Sequence, residues 1–363
     1  MPTPAAELPD LLWPQALVRP TAPPKLVYLD LNHWIYLSQA ASGSVNGERY
    51  RPALDACRHA RAAGTAVFVL AGVHYMEMTK IKDPAQRGRL TEVMEELSGF
   101  VTLLDRQIVI RLEIESVLDD RLGPWVEPYP TATLLGRGFG HAFGMKGGFT
   151  LRHKANGRDA SDLARARLGK AVFDDLMMKA DLFAERGMLR DPADVDLPQL
   201  KEFGYREVEA LKVNRRRAEQ ENEQHQRHHG TKWGAGQKLG DVVMAREAIV
   251  ELIGPLLEGL LRRGIDDIKV LFADKAAARD VVRAMPVSYV SALLKTEQHR
   301  NASKVWSPND IFDIDGMSLA VPYCEIVVTE KHRWHDLHIA KVESRTDTVI
   351  LRSLSELPGH LNI

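Results

Sequence analysis

Between residues 25 and 120 the chain alternates short apolar runs with longer stretches of helical period, and this alternation limits its fold more than any other feature. Lys25–Leu29 reads as a strand and runs straight into Asp30-Leu31-Asn32-His33-Trp34 and a helical stretch. A second apolar run, residues 65–70, leads into Gly72-Val73-His74-Tyr75-Met76-Glu77-Met78, which starts another helix. Helical stretches follow at 84–98 and 106–120, separated by Phe100-Val101-Thr102-Leu103-Leu104. Strands linked through helices by short connections pair in parallel, and an almost wholly apolar strand fits the inside of such a sheet. The pattern predicts an α/β fold with a central, mainly parallel sheet.

The same signature returns at the far end. Residues 306–331, WSPNDIFDIDGMSLAVPYCEIVVTEK, open on Ser307-Pro308-Asn309, a turn and helix cap. Ile314, Met317 and Val321 recur at helix spacing, and Asp310 and Asp313, three apart, share one helix face. Pro322 is expected to end that helix, and Ile326-Val327-Val328 to form a short buried strand delivering Thr329-Glu330 at its C-terminal end. A last apolar strand is expected at Thr348-Val349-Ile350-Leu351. The C-terminal ends of parallel strands share one edge, where open α/β sheets hold their sites. Asp30, Glu77, Asp310, Asp313 and Glu330 can therefore converge from opposite ends of the chain. Each has a plainer reading: Asp30 as the cap of the helix it precedes, Glu77 as a surface glutamate, the helix acids as complements of the helix dipole. Converging carboxylates repel unless a cation neutralises them, and an all-oxygen site selects Mg²⁺ or Mn²⁺. Such a metal polarises a phosphodiester and activates water.

With these segments in view, the chain resembles the PIN-like nucleases. KLVYLDLNHW resembles that family's opening strand with Asp-x-Ser/Asn, and AVFVLAGVHYMEM its second strand and helix-borne Glu. NDIFDIDGMSLAVPYCEIVVTEK resembles its acid-bearing helix, small-residue turn and Thr-acid strand end. The resemblance covers roughly the first 120 and last 95 residues. It implies a three-layer α/β/α fold and a metal-dependent nuclease acting on RNA before DNA. On the family pattern Asp30, Glu77, Asp313 and Glu330 bind metal and carry catalysis, while Asn32 and Thr329 orient water or carboxylates. Two departures stand out. The last acid, Glu330, directly follows Thr329, where many members carry Asp one residue later. The third acid is open among Asp310, Asp313 and Asp315, although counting back from Thr329 favours Asp313. Bacterial relatives often act as toxins or defence factors, so an inhibitor or antitoxin joins nucleic acid and a second copy of the chain among the candidate partners. A haloacid-dehalogenase-type phosphatase also opens on a strand and an Asp, but expects a second Asp where this chain has Asn32. A non-catalytic binding module for nucleic acid or protein is the other reading.

The remaining sequence frames these segments. Residues 1–24 carry seven prolines and read as an extended tail with one apolar cluster, Leu11-Leu12-Trp13. Residues 121–265 read as a mainly helical insertion between two halves, 25–120 and 266–363. Its glycine-rich run at 136–148 reads as a flexible connection and lacks a phosphate-loop motif. Its helix at 241–261 is interrupted by Pro255. The run at 211–232, six Lys or Arg against three Glu, reads as a solvated helix, and its histidines lack metal-site spacing. Lys295, Arg300 and Lys304 precede the acidic stretch and Lys331 follows Glu330; together they are candidates for holding a phosphate backbone. The net charge of −1 means any basic surface is local. Two cysteines, Cys57 and Cys324, make no disulfide framework and suit a reducing cytoplasm. No apolar run reaches the length of a membrane span.

Overall fold

The computed structural model describes residues 10–20, 24–145, 151–153, 155–190, 207–230 and 238–361. Its strands in chain order are β1 (Leu17–Val18), β2 (Lys25–Leu29), β3 (Ala66–Val69), β4 (Val101–Leu103), β5 (Ala132–Thr133), β6 (Leu135–Arg137), β7 (Ile326–Val328) and β8 (Val349–Leu351). Four of them form a central, wholly parallel sheet in the order β3-β2-β7-β8. The first and last parts of the chain therefore meet at its centre: Val27 pairs with Ile326 and Leu29 with Val328. The alternation that suggested helix-linked parallel strands has its physical basis here, since α1 (Leu31–Ala41) and α2 (Arg51–Ala62) return the chain from β2 to β3. α3 (Gly72–Met78), α4 (Pro84–Ser98) and α5 (Arg106–Leu122) follow.

Successive strand residues point to opposite faces. Leu26, Tyr28, Val69, Val327 and Ile350 join one apolar core, while Val27, Leu29, Phe68, Ile326, Val328 and Leu351 join another. The sheet is thus covered by apolar packing on both faces, which is why its strands read as unbroken hydrophobic runs.

Pro308–Tyr323, the acid helix, runs one residue past Pro322 and stops at Cys324, so the proline lies inside its last turn. Gly316 lets this helix approach the sheet. A Cβ there would lie 2.7 Å from the Tyr28 hydroxyl and 3.1 Å from a Val73 methyl. Gly316→Ala is expected to destabilise the fold by ~1–3 kcal/mol, the usual cost of overpacking. Urea unfolding checks it; an unchanged midpoint would show that Tyr28 yields freely.

Several expectations need correction. The described part of the N-terminal tail docks at its apolar cluster, where the Leu12 N–H donates to Ala284 O at 2.8 Å and Trp13 packs edge-on against Tyr323, but it is anchored beyond Trp13 as well, since β1 pairs in parallel with β5. Residues 1–9 and 21–23, with Pro2, Pro4, Pro9 and Pro23, lie outside the described residues. The glycine-rich run is structured as far as it is described. β6 pairs antiparallel with β4, and the turn into Gly138–Ala142 uses Gly138 at φ +79°, a conformation that favours glycine; residues 146–148 are outside the described set. The helix at 241–261 absorbs Pro255 through a wider turn at Ala248–Leu252 between Leu239–Glu247 and Ile253–Arg262.

The largest correction concerns Glu207–Gly230. This helix is not solvated all round, because Asn214, Ala218, Glu221, His225 and His228 are buried. Its charges meet others inside the protein. Arg217 bonds both oxygens of Asp315 at 2.6 and 3.0 Å and lies 3.4 Å from Glu251. Arg246 bonds Glu221, which also accepts from His299 at 2.9 Å. Lys295 is 2% exposed and pairs with Glu247, with Glu221 at 3.4 Å and Glu251 at 3.8 Å. Lys295 therefore cannot hold substrate as expected; its helix, Pro286–Arg300, turns it into this interior network. A charged side chain in the interior is sustained only by opposite charges around it.

Candidate active site

Asp30 sits one residue beyond β2, and its N–H donates to the Val328 carbonyl at 3.0 Å. It occupies the N-cap position of α1 yet makes no side-chain capping bond, so capping does not account for it. His74 ties this corner together. Its Nδ1 accepts from the Ala71 N–H at 2.9 Å, leaving the proton on Nε2, which donates to Leu29 O at 2.8 Å. Burial holds the ring down to about 4, so it stays neutral and the strut is unbroken at neutral pH. The end of β2, bearing Asp30, is thus fixed to the start of α3, bearing Glu77.

Glu77 is half-buried, with Lys80 Nζ 3.4 Å away. Lys80 is itself held by Asn309 at 2.8 Å and lies 4.2 Å from the Phe312 ring centroid. On the acid helix, Asp313 accepts from Arg333 at 3.0 Å. Glu330 follows β7 and accepts from the Asn32 carboxamide, and the Thr329 hydroxyl donates to Asp30 at 3.4 Å. The side chains of Asn32 and Thr329 therefore link the N-terminal acid to the C-terminal one.

Asp30 and Glu77 feel the other acids. Burial pushes Asp30 up to about 8, and the charges of Asp313, Glu77 and Glu330 add to that rise. Burial likewise raises Glu77 to about 7, with Lys80 opposing and Asp313 and Glu330 adding. Of the three candidate helix acids, Asp313 is the one that acts on both. Asp310 is occupied otherwise: it forms a reciprocal capping box with Ser307 and pairs with Lys304 at 2.5 Å and Arg333 at 3.1 Å. Lys304 and Ser307 hold its carboxyl below the ordinary range against the effect of burial. Asp315 lies on a different helix face, and Arg217 and Arg106 hold it at about 2 despite burial.

The four acids form an electrostatic cluster of hard oxygen donors, the chemistry Mg²⁺ or Mn²⁺ requires. They are not drawn into a closed shell: among the described residues no three His, Cys, Asp or Glu side chains are grouped as a metal site. Lys80, Arg333, Asn32 and Thr329 each engage one of the four instead.

The expected phosphate contacts divide. Lys331 is exposed beside Glu330, whereas Arg300 pairs with Glu297 at 2.6 Å and Lys304 with Asp310. Sequence reading missed Arg333, Lys80 and His74. Arg333 is 1% exposed and bridges Asp310 and Asp313, yet inside KHRWH it looks like one more surface charge. His74 and Lys80 lie three residues either side of Glu77, a spacing that could have flagged them as its helix-face neighbours.

Both cysteines are buried and free, and no described helix is long and apolar enough to cross a membrane. Comparison with models of protein families, with curated proteins and with solved structures finds no match.

Proposed function

We propose that this chain is a metal-dependent nuclease of PIN-like α/β/α architecture that hydrolyses phosphodiester bonds in nucleic acid, RNA before DNA. The observation carrying this reading is the meeting of Asp30 and Glu330 just past adjacent parallel strands, tied by Thr329 to Asp30 and by Asn32 to Glu330, with the charges of Glu77, Asp313 and Glu330 all acting on Asp30. Four acids brought from residues 30 to 330 and left to repel one another cost stability, and a bound cation relieves that cost. Asp30 and Asp313 would hold the divalent ion, with Glu77 and Glu330 completing the set. When bound, a hard cation offsets charge on a phosphoryl group and lowers the pKa of water. The chain's own groups do the positioning. Asn32 fixes one oxygen of Glu330, Thr329 steers Asp30, and Lys80 and Arg333 restrain Glu77 and Asp313.

The test is a panel of single- and double-stranded RNA and DNA incubated with Mg²⁺, Mn²⁺ or excess chelator. RNA cleavage with metal and none in chelator is expected. Full cleavage in chelator, or no cleavage of any substrate by folded protein with metal, would overturn the proposal. The open arrangement of the acids favours one alternative, a non-catalytic nucleic-acid-binding module. That reading gives retention of nucleic acid without cleavage in the same panel.

A further inference from the structure

Glu330 also lines a cleft of about 730 Å³ whose aromatic and basic lining residues the chemistry above does not use. Tyr36 of α1 lines one side, Lys331 and Trp334 of the Lys331–Ile339 helix line the other, and Arg352 just beyond β8 lies at its rim. Two of its walls are aromatic rings already fixed in place. Tyr36 stacks on Tyr50, centroids 4.7 Å apart and planes within 9°, and Arg49 lies 4.6 Å from the Tyr50 ring. Trp334 stacks on His338 at 4.9 Å and 10°, and its indole N–H donates to Ile350 O at 3.1 Å. Both rings are only partly buried. Lys331 and Arg352 are exposed; Arg352 makes a surface ion pair with Glu356, 3.2 Å, of the kind that competes weakly, and its guanidinium lies 5.4 Å from the Trp334 ring centroid, where an entering base would take its place.

Rigid half-exposed rings flanked by exposed cations are what an unpaired nucleotide requires: a π-face for its base and positive charge for its phosphates. Bases inside a duplex are already stacked and offer no free face. We propose that this cleft binds one unpaired nucleotide of a single-stranded nucleic acid, its base against Tyr36 and Trp334 and its phosphates toward Lys331 and Arg352. The nuclease reading is needed to place that nucleotide next to a cleaved bond, but not for the binding itself.

The experiment uses the full chain in excess chelator. Fluorescence anisotropy follows a labelled mixed-sequence oligoribonucleotide, its deoxy counterpart, and the duplex of each. Single strands should bind at least roughly tenfold tighter than duplexes. Tyr36→Ala should weaken single-strand binding roughly 5–30-fold, with Tyr36→Phe close to wild type, because stacking and not the hydroxyl is lost. Lys331→Ala should lower the salt slope of binding by about one phosphate contact. Trp334 also supports the fold, so Trp334→Phe replaces its alanine variant and should retain most of the affinity. Wild-type affinity in folded Tyr36→Ala and Lys331→Ala, or equal binding of duplex, would overturn the cleft. If the cleft variants behave as expected while metal gives no cleavage, the nuclease reading falls and the cleft stands. If metal gives cleavage while single-strand binding is indifferent to these variants, the cleft falls and the nuclease reading stands.

Discussion

Asp30→Asn is expected to remove metal-dependent cleavage, by at least about 100-fold, while making the metal-free protein more stable at pH 8. The substitution keeps the shape of the side chain and deletes its charge. In the folded chain Asp30 is raised from an ordinary 3.8 to about 8, so between those values the folded form holds a proton that the unfolded form has lost. The stability this confers is complete below about pH 4 and is lost as pH rises toward 8. The Asn variant has no such slope. In chelator, its advantage over wild type should grow from near zero at pH 4 to about 2 kcal/mol at pH 8, allowing for water reaching the partly exposed carboxyl. Glu113 and Glu185, raised by burial to about 8 and about 7, tilt the wild-type curve the same way. The difference between the two proteins removes the contributions of Glu113 and Glu185 and leaves Asp30 with its coupling to Glu77, Asp313 and Glu330. Urea unfolding across this pH range, with a cleavage assay at saturating Mg²⁺, checks both halves. An active Asp30→Asn protein would remove the mechanism, and parallel stability curves would show that neither burial nor its neighbours raise Asp30.

The second large effect lies in the interior. Lys295→Met is expected to cost about 3–5 kcal/mol, because it strands Glu247 and weakens the balance around Glu221 and Glu251. The loss should shrink at low pH, where a stranded carboxylate takes up a proton. Lys295→Met combined with Glu247→Met should recover at least half, since two apolar groups then replace a charge pair. Denaturant midpoints of the three variants against wild type decide it. A double variant no better than the single one would show that packing, not charge, is what Lys295 contributes.

Much of the strand framework was legible because it rests on local signals. Lys25–Leu29, residues 65–70 and Ile326-Val327-Val328 are apolar on both faces, and helices begin where Asp30 and Gly72 follow them. Long-range pairing is different. Nothing local to Arg217 announces Asp315, and nothing in the spacing of Lys295, Arg300 and Lys304 says that the first turns inward while the others meet Glu297 and Asp310. Charge counts along a segment record composition, whereas burial depends on which helix face meets a neighbour. Hence the run at 211–232 looked solvated, and Arg333, which restrains Asp313, went unseen beside its exposed neighbours in KHRWH. Asp30 and Glu330 were singled out by their places just past strand ends, where open α/β sheets hold their sites, whereas Asp313 and Glu77, inside their helices, were singled out by the family pattern.

The pairing of β2 with β7 also sets a timetable. A chain emerging from the ribosome presents Asp30 and Glu77 early, but Asp313, Glu330 and the strand that seals one flank of β2 come some three hundred residues later. Until then β2 has β3 on one side only, and the four acids cannot meet. Contacts of such sequence separation form slowly and leave an open strand edge in the interim. A half-made molecule is therefore exposed to aggregation. If the folded protein cuts RNA, the order of its segments withholds that capacity from every nascent chain not yet extended past Glu330.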